Sequence, residues 1–330
     1  MVTMHDVAAH AGVSASTVSR VFRNEESVSK ATRKRVNDAM AALNYVPNMM
    51  ARTFREGKAS LLAIAVPSIA DSFFASVIEG ADSIAKTHGH AIAVTSLGDD
   101  PSRERPIVEA LLRRQISSLV LVPIASDQSY LSTWLPHTPV VVIDREATGA
   151  DVDVFLEDDR GGAIMAVDHL LRLGHQRIAF LGADDAVATT ARRFDGYRQA
   201  IQDAGLSVED QPVLFAGPSH IQEGIAGMLG AQDPPTALFS SNARTSVVVV
   251  RALQALKARG LAMVSFGDFP MADALDPSVS VIDQDPFRLG QAAAERALNR
   301  VADPEGSFEN LTVFDVNLIP RGSSTPPSRA

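Results

Sequence analysis

The residues whose types and spacing could do chemistry cluster between Thr3 and Asn24. Thr3 and Asp6 have the spacing of a capping box, so a helix is expected to start there. Val7, Ala8 and Ala11 share one face of it, and Gly12 supplies the positive φ that ends it and turns the chain. Ser14 can cap a second helix whose inner face is Val18 and Val21. A small side chain at Ala8 lets the two helices cross closely. The outer face of the second helix is then Ala15, Ser16, Thr17 and Arg20, a face suited to the major groove of DNA. Arg20 can donate two hydrogen bonds to guanine O6 and N7, and Ser16 or Thr17 can read a base edge or a thymine methyl. Ser14, Ser19, Asn24 and the helix start suit phosphates, and Thr3 completes the set expected to face DNA.

Several elements must position this face. A third helix, capped by Ser29 and running to about Leu43, would close a small core with Val36, Met40 and Leu43. Residues 1–46 thus read as a helical domain ending before Pro47. Residues 47–60 read as a basic connector in which Asn48 can cap a helix of roughly two turns that Gly57 ends; so short a helix is marginal alone. From Leu61 onward, apolar runs alternate with amphipathic stretches. The runs include Leu61–Val66, Ala91–Thr95, Leu119–Val122, Val140–Ile143, Ile178–Leu181, Ala237–Phe239 and Met263–Phe266. Buried parallel strands read in this way, and about ten of them exceed one comfortable sheet, so two doubly wound halves with a cleft between them are expected. The tail from Arg321 to Ala330 is rich in Gly, Ser and Pro and is expected to fray.

Charge supports the division. The net charge is −9, yet residues 1–60 hold nine Lys/Arg against five Asp/Glu. A basic reading head on an acidic body limits indiscriminate sticking to nucleic acid. Zero cysteines exclude disulfides, thiolate metal sites and a cysteine nucleophile. Neither a secretory leader at Met1–His10 nor an apolar run long enough to span a membrane is present, which points to a cytoplasmic protein.

The segments Asp6-Val-Ala, Ala11-Gly-Val-Ser, Thr17-Val-Ser-Arg, Thr32-Arg-x-Arg-Val, Tyr45-x-Pro-Asn and Ala51-Arg resemble the headpiece and hinge of the lactose-repressor (LacI/GalR) family, and the similarity continues through nearly the whole chain. The resemblance implies an all-α helix-turn-helix headpiece joined to an α/β, periplasmic-binding-protein-like body of two doubly wound parallel-sheet lobes, with the chain crossing between lobes three times. The N-lobe would be about 61–156 plus 285–311 and the C-lobe about 157–284 plus 312–325. It further implies a sequence-specific transcription regulator, in the first instance a repressor. Such a protein binds a palindromic operator as a homodimer or a dimer of dimers and answers to a small-molecule effector. In that setting the connector folds on DNA against its partner from a second subunit, Phe54 wedges into the minor groove, and Arg52 and Arg55 lie along phosphates. Most members carry leucine where this chain has Phe54.

Ligands of open α/β sheets sit at the carboxyl ends of strands, which singles out residues just after each apolar run. These are Ser68, Asp71, Phe73, Phe74, Asp144, Arg145, Thr189, Thr190, Arg193, Ser241, Asn242, Asp268 and Gln284, with Arg193 matching the family's effector arginine. The set suits a polyhydroxylated ring: carboxylates accept from vicinal hydroxyls, Arg193 donates a fork, and Phe73 or Phe74 offers a flat wall. A sugar, a polyol and a nucleoside would use the same inventory, and Phe73, Phe74 and Asp144 would equally serve core packing or salt bridging. Asn242-Ala243 stands where the family usually has Asn-Asp, and Asp158-Asp159 where it often has Asp-Asn.

No cofactor or metal is expected. His169 and His175 are six residues apart and share no helix face, and His88-Gly-His90 is no better a ligand pair. Neither a dinucleotide-binding glycine motif, a Walker motif nor a nucleophile elbow occurs, which disfavours an enzyme. A solute receptor would share the body but has no use for residues 1–60, while a body answering to a partner protein stays open.

Overall fold

A computed structural model describes residues 3–22, 28–43, 61–258 and 260–326. The chain divides into two compact units, residues 1–59 and 60–330.

In the first unit, α1 (Met4–Ala11), α2 (Ala15–Phe22) and α3 (Lys30–Ala42) enclose a core of Val7, Ala8, Ala11, Val18, Val21, Val36 and Ala39, with Met40 and Leu43 packed against it. The start signals act as expected. Asp6 N donates to Thr3 Oγ1 at 3.3 Å while Thr3 N donates to the Asp6 carboxylate at 2.7 Å. Gly12 takes φ 63°, and Thr32 N donates to Ser29 Oγ at 3.2 Å. Each such cap contributes about 1 kcal/mol to a helix too short to persist alone.

The second unit holds two six-stranded sheets. The first comprises β1 (Leu61–Val66), β2 (Ala91–Ser96), β3 (Ser118–Leu121), β4 (Val140–Ile143), β5 (Asp153–Glu157) and β11 (Leu311–Phe314), all parallel, in the order β11-β5-β4-β3-β1-β2. The second comprises β6 (Ile178–Gly182), β7 (Val213–Phe215), β8 (Ala237–Ser240), β9 (Ala262–Phe266), β10 (Ser280–Asp283) and β12 (Asn317–Ile319), in the order β12-β10-β9-β8-β6-β7. Its one antiparallel pair is β10 with β12, a departure from the all-parallel expectation. Central strands β1, β3 and β4 are buried almost throughout, which is why they read as unbroken apolar runs.

Helices cover both sheets: α4 (Ser72–Thr87), α5 (Glu104–Leu112) and α10 (Pro286–Ala302) on the first, and α6 (Asp159–Arg172), α7 (Ala188–Asp203), α8 (Ile221–Leu229) and α9 (Ala243–Ala255) on the second. Helices α4 and α10 cross so closely that a Cβ at Gly80 would lie 2.0 Å from the Phe287 carbonyl oxygen, and one at Gly290 equally near that of Val77. Two expectations need correcting. Because β11 pairs with β5, the chain is still in the first lobe at Phe314, three residues beyond the expected boundary. The tail does not fray from Arg321: Ser323 Oγ donates to Met263 O at 2.7 Å and accepts from Ser280 N at 2.8 Å, and a hydrogen bond joins His175 Nε2 to Thr325 O at 2.7 Å.

Candidate nucleic-acid interface and ligand cleft

In the headpiece the periodicity of α2 separates an inner from an outer face. Val18 is fully buried, Ser16 and Arg20 are exposed, and Ala15, Thr17 and Ser19 are half-buried. Ser14 Oγ accepts from Thr17 N at 3.2 Å and lies 2.8 Å from both Ser16 Oγ and Thr17 Oγ1. The cap therefore also orients the two hydroxyls expected at base edges. Arg33 Nη1 donates to Val21 O at 3.2 Å, which fixes α3 against the end of α2. Thr3 is exposed and engaged in its capping box. Asn24, Asn48, Arg52, Phe54 and Arg55 lie outside the described residues.

In the body a cleft of about 780 Å³ lies at the carboxyl ends of both sheets. It is lined by Ser68, Asp71, Phe73, Phe74, Asp144, Arg145, Thr189, Thr190, Arg193, Asn242 and Gln284, so residues scattered over more than two hundred positions converge. Their side chains are not equally available. Asp71 caps α4, accepting from Phe73 N at 3.0 Å, and Asn242 caps α9, accepting from Thr245 N at 2.8 Å. Phe73 and Phe74 meet edge to face with centroids 5.2 Å apart; Phe74 is also part of the N-lobe core, and Phe73 is the more open wall.

Arg193 is 4% exposed and held on three sides. Its Nε donates to Asp159 Oδ1 at 2.7 Å, its Nη1 donates to the Ser241 carbonyl at 2.7 Å, and the guanidinium lies 3.8 Å from the Phe266 ring centroid. Arg192 reaches the other oxygen of Asp159 at 3.0 Å and donates to the Asp144 carbonyl at 3.3 Å. Asp144 sits in the left-handed region at φ 67°. Burial pushes its carboxyl above the usual range, opposed by Arg145 with Nε 3.3 Å away.

At the lobe crossings Gln284 Nε2 donates to Glu157 Oε2 at 2.5 Å. Glu157 is 4% exposed, and burial raises its pKa well above the ordinary carboxylate range, with Asp144 adding to the effect. Gly267, at φ 82°, leaves room for Gln284: a Cβ there would come within 2.7 Å of its Oε1. Nearby, Asp158 N donates to Phe314 O at 2.9 Å, linking the first crossing to the third.

Asp268 is a correction. It does not line the cleft; its carboxylate pairs with Arg321 at 2.5 and 3.1 Å and accepts from Phe269 N at 2.8 Å, because Gly267 turns the backbone and aims the next side chain at the tail. Sequence reasoning passed over Glu157, Asp159, Arg192 and Phe266. The one available signal was the Asp158-Asp159 doublet, whose second carboxylate is the clamp of Arg193. His169 and His175 serve as tail contacts, with His169 Nε2 2.8 Å from Ser324 Oγ. Among the described residues no group of His, Cys, Asp and Glu could hold a metal, and no helix is long and apolar enough to cross a membrane.

A three-helix reading head followed by a two-lobed body with a polar cleft at its strand ends defines a DNA-binding transcription regulator with a ligand-binding-type body. Residues 3–48 match the pattern of bacterial regulatory proteins of the lacI family, and residues 167–324 match that of a periplasmic binding protein-like domain. The chain is 30% identical to the HTH-type transcriptional regulator GalS of Salmonella typhimurium over 92% of its own length and 91% of the relative's. To the regulator GalR of Escherichia coli it is 28% identical over 99% of its length and 97% of the relative's. The fold superposes on a lac repressor dimer bound to operator and the anti-inducer ONPF with a TM-score of 0.84 at 24% identity, covering 98% of this chain and 99% of that one. The chain belongs to the lacI family of DNA-binding transcriptional regulators, whose members are not enzymes.

Proposed function

We propose that this regulator is a repressor that binds a palindromic operator as a homodimer and is released or recruited by a small polyhydroxylated ligand in the body cleft. The observation that carries the reading is the outer face of α2, where Ser16 and Arg20 are exposed above a fully buried Val18. A helix so divided offers base-edge donors while its other face is occupied by the core. Duplex dyad symmetry then calls for two headpieces on half-sites about one turn apart. Thr3, Ser14, Ser19 and Asn24 serve the phosphates. Residues 47–60 form the hinge, with Asn48 as its cap, Phe54 as the wedge and Arg52 and Arg55 on the backbone.

The cleft is concave, bounded by both lobes and lined by donors and acceptors beside an aromatic wall, which favours a small molecule over a partner protein. A ligand that prefers one arrangement of the lobes changes the spacing at which two hinges leave the bodies, and DNA affinity follows. The site of action is the cytoplasm.

Gel-shift titration on symmetric sites, at several salt concentrations and with candidate sugars, tests the reading. Salt-sensitive binding that a sugar modulates is expected. Binding to no symmetric site at any salt concentration overturns it.

A further inference from the structure

The charge of the cleft is lopsided. Its lining carries five carboxylates against three guanidiniums. Two of the guanidiniums are already engaged. Arg193 is held by Asp159 and the Ser241 carbonyl, and Arg145 donates its Nη1 to the Pro123 carbonyl at 2.9 Å. Arg244 lies 3.9 Å from Asp99. An anionic ligand deep in the cleft would meet Arg193 and Arg145 already donating to protein oxygens.

Of the five carboxylates, Asp71, Asp99, Glu146 and Asp184 have partners, and Asp144 stands apart. Asp144 is 6% exposed, lines the cleft, and its carboxylate oxygens accept no hydrogen bond among the described residues. Among the described residues its one ion-pair contact is Arg145 Nε, a buried atom that makes no hydrogen bond of its own. Behind it Glu157 has one oxygen on Gln284 and the other, Oε1, buried without a partner. Buried acceptors left unpaired are costly, and the group that relieves them best is a charged donor. Burial raises the pKa of both carboxyls, outweighing the nearby arginines that oppose it.

We infer that the cleft takes a polyhydroxylated ligand bearing a protonated amine, such as an amino sugar, with Asp144 as the acceptor of its ammonium group. This rests on the reading of the cleft as the ligand site and adds the ligand's charge to it. The hydroxyl-directed groups, Thr189, Asn242 and Gln284, orient the ring. Asp144 selects among rings of the same shape, because a neutral hydroxyl is a weaker donor to a carboxylate than an ammonium is.

The test uses the full-length protein and three matched series. The first is glucosamine, galactosamine and mannosamine, the second glucose, galactose and mannose, and the third the corresponding uronates. Dissociation constants are measured by calorimetry, alongside a gel shift on the same preparation. At least one amine is expected to bind about tenfold or more tightly than its neutral partner, with N-acetylation of that amine or Asp144→Asn erasing the difference. The N-acetylated probe reads the wild-type protein, so a variant that fails to fold does not leave the question without an answer. A neutral or uronate partner binding as well as the amine, an acetylated amine binding unchanged, or no amine binding at all overturns the inference. Salt-sensitive DNA binding in the same preparation leaves the regulator reading standing in those cases, whereas its absence removes that reading instead.

Discussion

Glu157 and Gln284, at the ends of β5 and β10 and 127 positions apart in sequence, share a 2.5 Å hydrogen bond that ties the first lobe crossing to the second. With the Asp158 to Phe314 backbone bond, it makes the three crossings one unit. Removing the amide leaves a buried carboxyl with neither oxygen paired. Gln284→Leu is expected to lower stability by about 1–3 kcal/mol in urea denaturation. An unchanged midpoint would show that the pair does not hold the crossings.

The same pair gives a pH dependence. The folded-state pKa of Glu157 lies above its unfolded value, so its contribution is complete below the unfolded pKa and is lost as pH rises through the folded one. Glu157→Gln removes that titration. The variant should gain on the wild type as pH is raised from the acidic range, and parallel stability curves would contradict the assignment.

Arg20→Ala should relax specificity at one base pair of each half-site, at about 1–3 kcal/mol. Gel shifts on a panel of single-base operator variants read this directly. Equal weakening on every variant would make Arg20 a phosphate contact.

Gly80→Ala drives a methyl into the Phe287 carbonyl, and backbone does not yield as a flexible side chain would. The cost expected is about 1–3 kcal/mol, seen as a lowered melting temperature with the headpiece spectrum unchanged. Gly205→Ala is the companion control. It has φ 73° but open space, so it reports strain without collision.

Burial lowers the pKa of both His169 and His175, which contact the tail at Ser324 and Thr325. Their neutral forms are favoured in the folded protein, so stability is complete above the unfolded histidine pKa and falls as pH drops through and below it. Proteolysis of the C-terminal segment should accelerate at acidic pH. A rate independent of pH would count against the histidine latch.

What could be read in the sequence follows from how local each determinant is. The headpiece was legible because its caps, its Gly12 turn and its apolar positions act within four residues of one another. The central strands were legible because burial on both faces leaves no polar interruption. Strand β5 was not, since charged Asp153 and Glu157 close its ends and each finds its partners far away in sequence, Asp153 in Arg296 and Arg300 and Glu157 in Gln284. The cleft set followed from the rule of strand ends, and Asp268 left it through the turn at Gly267. The Arg193 clamp and the crossing bonds join positions 34 to 156 residues apart, and no spacing rule reaches so far.

The interlocked glycines of α4 and α10 bear on the order in which a ribosome delivers this protein. The first lobe lacks α10 and its edge strand β11 until residue 314 has been made, whereas the three headpiece helices are complete by residue 42. A nascent chain thus holds a finished reading head long before it holds the body that governs it, with β1 to β5 awaiting their covering helix while the whole second lobe emerges.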